Sequence, residues 1–415
     1  MLFISENIPP TYRLSSIVIV VRHGDRSPIY TLPNHRLFEN LSCKFTDDKS
    51  TQSKTFLKFI SSVESRQIKQ IHPDFRWQNS FPKSTKCAAG QLTSRGFQQM
   101  INLGKTLRRT YSDGKRFLQA SSNLSSKMYV RVTEYTRTFQ SAVGFLYGFL
   151  SSDDFRRVKI EFDRDIYFCS QSVGNFSCNC PAATKLQKII DQEYRQMDAK
   201  DRSMDQQIKE KLATVFGTST GHIPWLGAVL EVVMTHVCHG LSPPCRENSQ
   251  KKSECMPWSL VNKLWHSLDA SGQRSQNSTT PEKYARLVSY PLLHEIVQRF
   301  LAVARYNADD EKSRIHLYSG HDKTISALLK ALKVHDGHWP PYASNLIFEL
   351  YDGNRKQFYV RILYNGRDVT KQVRFCKDIG NATGGLCPFD NFMYFVFYET
   401  SRYFGTSGYE AICKL

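Results

Sequence analysis

Ile17-Val-Ile-Val-Val21 is an unbroken run of β-branched side chains, and it leads directly into Arg22-His-Gly-Asp-Arg-Ser-Pro28. A continuous branched apolar run reads as a strand buried on both faces, the pattern of a parallel sheet covered by helices on each side. Gly24 and Pro28 then break the strand into a loop. The same order recurs twice. Met128 to Val132 reads as a strand, Thr133-Glu-Tyr-Thr-Arg137 as its loop, and the stretch from about Arg137 to Phe149 as a helix carrying Phe139, Val143, Leu146 and Tyr147. Ile315 to Ser319 reads as a strand, His321-Asp322 follows it, and a helix is predicted from about Thr324 to Leu332.

Other signals fit around these three units. Thr93 is an N-cap type, and Phe97, Met100, Ile101, Leu103, Gly104 and Leu107 keep helical spacing up to about Arg109. Leu346 to Tyr351 and Phe358 to Tyr364 flank Asp352-Gly353, a hairpin signal. Strand, loop and helix in alternation predict an α/β three-layer sandwich with a largely parallel sheet. The chain has 415 residues, more than one typical domain. Residues 151–309 change character, with polar helical stretches such as Lys185 to Lys211 between cysteine-bearing loops. The expected division is an α/β domain of residues 1–150 and 310–415, interrupted by a mainly helical insert of residues 151–309.

Ligands of open α/β sheets bind beyond the carboxyl ends of the strands. There the sequence places Arg22, His23 and Arg26, then Arg131 and Arg137, then His321 and Asp322. Arginine forks hold phosphate oxygens bidentately and stay charged at any working pH. A neutral imidazole can attack phosphorus, and a carboxylic acid can protonate the leaving alkoxide. The set therefore predicts phosphate-ester chemistry with His23 as nucleophile and Asp322 as acid. The Arg, His, Gly, Arg and Pro of the first loop would match by chance about 10⁻⁴ times in a chain of this length. His321-Asp322 carries no weight as a dipeptide and gains it only from its place between a strand and a helix. Asp322 has a compatible second reading as a helix cap, and Arg131 and Arg137 have rival readings as ordinary ion pairs.

Arg22-His-Gly-Asp-Arg-Ser-Pro28 and Ser319-Gly-His-Asp322 resemble the two signatures of the histidine acid phosphatases, and the similarity extends over nearly the whole chain. The resemblance implies a phosphoglycerate-mutase-like α/β domain with a helical insert, and a reaction that needs no metal or other cofactor. It implies His23 as the phosphorylated residue, Asp322 as proton donor, and Arg22, Arg26 and His321 on the phosphate. Val130 to Thr138 is similar to the stretch that carries a further phosphate-binding arginine, which maps to Arg131. Phe168-Cys-Ser170, Cys178-Asn-Cys-Pro181, His236-Val-Cys-His239, Arg361 to Gly366 and Asp368-Val-Thr370 resemble a subgroup that acts on phosphorylated xylose in the proteoglycan linkage region. That subgroup implies a phosphorylated glycan as partner and the Golgi lumen as location. A general acid phosphatase or phytase-like enzyme is the alternative, and a non-catalytic anion-binding protein is a weaker one because both reacting groups are present.

Composition narrows the setting. Eleven cysteines, with N-x-S/T sequons at Asn40, Asn123, Asn175, Asn277 and Asn381, favour the oxidising secretory lumen. An odd cysteine count leaves at least one thiol outside intrachain disulfides. His236, Cys238, His239, Cys245 and Cys255 invite a zinc reading, but their spacing fits no common zinc module and disulfides are preferred. The sequence shows no signal peptide and no membrane span, so a lumenal reading expects a targeting or anchoring segment missing from this chain. The formal charge of +18 suits an acidic glycan or phosphorylated substrate, with a solubilising surface as the plain alternative. No P-loop or dinucleotide fingerprint is present, and no nucleic-acid partner is expected.

Overall fold

The computed structural model describes residues 8–35, 41–45, 60–61, 86–114, 117–118, 124–151, 154, 158–169, 178–196, 199–247, 253–277, 279–305, 314–353, 357–377, 383–406 and 408–414. In chain order these form β1 (Arg13–Arg22), α1 (Ser94–Arg109), β2 (Met128–Thr133), α2 (Thr136–Phe149) and β3 (Ile160–Asp163). Next come α3 (Pro181–Arg195), α4 (Ala199–Phe216), α5 (Leu226–Cys238), the strands β4 (Cys245–Glu247) and β5 (Ser253–Cys255), α6 (Trp258–Asn277) and α7 (Thr279–Arg305). The chain closes with β6 (Ile315–Gly320), α8 (Asp322–Ala331), β7 (Asn345–Asp352), β8 (Phe358–Tyr364), the short strands β9 (Arg367–Asp368) and β10 (Cys387–Pro388), and short C-terminal helices.

One sheet organises the molecule, in the order β10-β8-β7-β1-β6-β2-β3 with β9 on β8. Strands β1, β6, β2 and β3 are mutually parallel, whereas β7 and β8 are antiparallel additions on the other side of β1. The expected largely parallel sheet is present, and the hairpin predicted around Asp352-Gly353 pairs Asp352 with Phe358.

The branched run of β1 explains the layering. Ile17 through Val21 have no exposed surface. Ile17, Ile19 and Val21 pack into the cluster of Phe97, Met100, Phe139 and Val143 from α1 and α2. Val18 and Val20 point the other way, into a cluster with Leu293, Ile296 and Val297 of α7 and Ile325 and Leu328 of α8. Period-two alternation thus makes one strand the spine of two cores. Each such side chain is worth about 1.5–3 kcal/mol of burial.

Within the stretch expected as an insert, β3 extends the sheet and α7 covers its second face. A third, separate core lies between them in sequence, built by Ile208, Leu212 and Phe216 of α4, Val229, Val232 and Val233 of α5, and Leu260 and Leu264 of α6, with Leu32 from the loop after the first motif. The polar Lys185 to Lys211 stretch is helical in two pieces, α3 and α4.

Disulfides join Cys43 to Cys87, Cys169 to Cys178, Cys180 to Cys413, Cys245 to Cys255 and Cys376 to Cys387. Cys238 is the free thiol. Five disulfides fit an oxidising compartment. The Cys245–Cys255 bond also takes both residues out of the zinc reading. Of the sequons, Asn277 ends α6, and Asn40, Asn123, Asn175 and Asn381 lie outside the described residues. Among the described residues, no helix is long and apolar enough to cross a membrane.

Candidate active site

The carboxyl ends of β1, β2 and β6 lie side by side, with Arg22 opposite Gly320 and Val132 opposite Ser319 in register. The loop after β1 is held by main-chain bonds. His23 N–H donates to Gly320 O at 3.0 Å, and its carbonyl accepts from Ala343 N–H at 3.1 Å. Gly24 and Gly96 are where the loop touches the start of α1. A Cβ on Gly24 would stand 2.2 Å from Gly96 O, and one on Gly96 would stand 2.0 Å from Asp25 O. Two missing side chains let the loop rest directly on the helix. Thr93 caps that helix by accepting from Gly96 N–H, and its hydroxyl donates to Asp25 Oδ2 at 2.6 Å.

His23 is buried, and its Nδ1–H donates to Gly24 O at 2.8 Å, which leaves the lone pair on Nε2. Burial holds its pKa well below the usual imidazole range, and the charges of Arg137 and Arg22, then His321 and Arg26, add to the effect. Both effects favour the neutral ring. His321 Nε2 lies 2.9 Å from Thr133 Oγ1, and Arg137 Nη2 approaches its Nδ1 at 3.4 Å. Burial, with help from Arg137, drives His321 down to about 3. The two rings lie 5.6 Å apart in an edge-to-face arrangement.

Asp322 opens α8 and pairs through Oδ2 with Arg22 Nη2 at 3.0 Å, while Oδ1 accepts from Lys323 N–H at 2.7 Å. Burial opposes its ionisation, but Arg22, the Lys323 amide and Arg26 outweigh it and hold the carboxyl below its ordinary value. In the free protein Asp322 is thus a carboxylate matched to the arginines. A phosphate dianion would neutralise those arginines and raise the carboxyl pKa, producing the protonated acid when an ester is bound.

Arg22 also donates to Pro340 O and stacks over Tyr342 at 4.1 Å. Arg26 pairs with Glu231 of α5, whose Oε1 also accepts from Ile29 N–H at 2.8 Å. A second insert residue, His239, binds Asp25 Oδ2 through Nε2 at 2.7 Å. Sequence reasoning passed over Glu231 and Tyr342, and met His239 only in a subgroup match and in the zinc reading, because no local spacing links the three to the loop they brace.

Arg131 is a correction. Instead of facing the loop cluster, it is buried in ion pairs with Asp163 of β3 and with Glu295 of α7, the latter at 2.6 Å. Val130 and Val132 on either side of it face α1 and α2, so strand alternation turns Arg131 to the opposite face. Arg137, in the first turn of α2, stands in the pocket instead. It makes no ion pair among the described residues, lies over Tyr135 at 4.5 Å, and is lowered to about 10 by burial and by Arg26. An arginine whose charge is disfavoured there is one that an incoming dianion would relieve. The parity of the strand was the available signal.

Three cations, a neutral imidazole with an open Nε2, and a carboxylate at a helix start can bind a phosphate ester, attack it and protonate what leaves. The family model described as histidine phosphatase superfamily, branch 2, matches residues 13–365. The chain is 27% identical to 2-phosphoxylose phosphatase 1 of Xenopus tropicalis over 98% of this chain and 78% of that protein. It is 27% identical to 2-phosphoxylose phosphatase 1 of Homo sapiens over 96% of this chain and 80% of that protein. Among solved structures, the phytase from Citrobacter braakii superposes with a TM-score of 0.55 at 17% identity, covering 93% of this chain and 97% of that one, which is a likeness of fold.

Proposed function

As a member of the histidine phosphatase superfamily, branch 2, the chain is a phosphomonoester hydrolase, and we propose that it works through a phosphohistidine formed on His23 Nε2. Arg22, Arg26 and Arg137 hold the phosphate oxygens and take up the charge of the transferring group. His321 positions Arg137 and borders the phosphate. Asp322 protonates the departing oxygen and afterwards takes a proton from the water that hydrolyses the phosphohistidine. The observation that carries this reading is the His23 ring, kept neutral inside a ring of arginines with Nδ1 tied to Gly24 O.

The substrate we propose is the 2-phosphate of xylose in the glycosaminoglycan–protein linkage region, and the setting is the Golgi lumen during proteoglycan biosynthesis. Similarity over nearly the full chain to proteins named 2-phosphoxylose phosphatase supports the substrate, and the disulfides support a secretory lumen. Phosphate release from a 2-phosphoxyloside, compared at equal concentration with phytate and a phosphopeptide, tests it. A clear preference for the xyloside is expected. Preference for either of the others removes the proteoglycan assignment and leaves the histidine chemistry standing.

A further inference from the structure

The loop between α8 and β7 carries Trp339, whose side chain is 60% exposed although it stands at the reacting centre. Its indole Nε1–H points at Asp322 Oδ2 from 3.3 Å. The loop is braced from several sides. Arg22 donates to Pro340 O, His338 pairs with Asp269 of α6 at 2.8 Å, and Gly337 N–H donates to His335 Nδ1 at 3.0 Å. Gly337 adopts φ +87°, a turn that glycine makes without strain. An exposed tryptophan held this firmly loses little freedom when a ligand covers it.

The site's chemistry fixes what covers it. Phosphorus faces His23 Nε2 and its oxygens occupy the arginines, so the ester oxygen must reach Asp322 to be protonated. The carbon skeleton attached to that oxygen then lies beside Trp339. We propose that Trp339 is a stacking platform for the pyranose ring of the leaving group, a specificity-determining residue that favours cyclic sugar phosphates over acyclic esters. A xylopyranose carries no exocyclic carbon and presents a flat face of C–H bonds, the surface an aromatic face accepts best. This inference rests on the proposed xylose 2-phosphate substrate.

Steady-state rates of wild type, Trp339→Ala and Trp339→Phe on a 2-phosphoxyloside and on glycerol 2-phosphate test it. Trp339→Ala should lower kcat/KM for the xyloside by about thirtyfold: about tenfold for the aromatic contact, the upper end of what one adds, and about threefold for the lost hydrogen bond to Asp322. Glycerol 2-phosphate should fall by about threefold or less, the share of the lost hydrogen bond to Asp322. Trp339→Phe keeps a ring and loses the N–H, so it should restore most of the difference between the two substrates. Equal losses on both esters would mean that Trp339 acts only through Asp322 and would overturn the platform, as would turnover of the xyloside by Trp339→Ala at the wild-type rate. A wild type that hydrolyses glycerol 2-phosphate and ignores the xyloside would sink the substrate reading and the platform together.

Discussion

The two sides of this pocket are built by different means. On the sheet side, Arg22, His23, His321 and Asp322 follow strands that pair in parallel register, and neighbouring main chain holds the loop: Gly320 O, Ala343 N–H and the close contact of Gly24 with Gly96. On the insert side, single side chains from α5 and the turn after it reach across, Glu231 to Arg26 and His239 to Asp25. The sheet side is a backbone arrangement and so writes a dense local motif. The insert side rests on contacts more than 200 residues apart in sequence, and writes none. Reacting groups belong to the first kind and braces to the second, and substitutions on the two sides should differ in size and in what they change.

Asp322→Asn should produce the largest effect of these variants. For an alkyl phosphate, kcat should fall by ~10²- to 10⁴-fold, the usual contribution of a general acid. An activated aryl phosphate, whose oxide leaves without a proton, should lose far less. The pH profile sharpens the point. Asp322 sits below the ordinary carboxyl range in the free enzyme, whereas His23 and His321 are neutral because their pKa values are depressed. Rising pH therefore removes the acid without improving the nucleophile, and kcat/KM for the alkyl ester should decline as pH climbs away from the acid range. The variant should lack that decline. Equal losses on both esters would make Asp322 a structural partner of Arg22 and the Lys323 amide and no more.

Two arginines six positions apart offer an internal control. Arg137→Ala should lower kcat/KM by ~10²- to 10³-fold, as expected for one preorganised donor to the transferring charge, with little change in denaturation midpoint. Arg131→Ala removes the buried cation that Asp163 and Glu295 share, and should cost about 3 kcal/mol of stability in chemical denaturation, the lower end for a broken buried pair because Arg299 still pairs with Glu295. A stable Arg131→Ala protein with impaired phosphate binding would reverse the assignment.

The insert side should respond least. Glu231→Gln keeps an acceptor for Ile29 N–H and removes a negative charge from beside the phosphate site. Inhibition by inorganic phosphate should tighten by about two- to fivefold, the scale of a partly exposed ion pair, while kcat falls modestly as Arg26 loses its anchor. A collapse in kcat comparable to that of Asp322→Asn would erase the distinction between the two sides.

The sequence disclosed most where chemistry and backbone coincide. The β1 run, its loop and the strand–His–Asp–helix unit were readable because burial on both faces, chain breaks and residue type all act within a few positions. Helix α1 was readable from Thr93 to Arg109 for the same reason. Arg131 was misread because a short match was followed in place of strand parity, which sends every second residue of β2 to the same face. The joining of β3 and α7 to the sheet was not legible, since β3 is four residues long and α7 contains Pro291. Glu231, His239 and Tyr342 depend on tertiary contacts that no local period encodes.

The central claim is that His23 Nε2 carries the phosphoryl group during turnover. The direct measurement is to mix enzyme with an ester radiolabelled in its phosphate, quench in alkaline denaturant within the first turnovers, and map the label. The account predicts protein-bound phosphate that survives base, is lost in acid, lies on the peptide containing His23, and is absent from a folded His23→Ala variant that no longer turns over. Label on a serine or an aspartate, or label retained by His23→Ala, would contradict it.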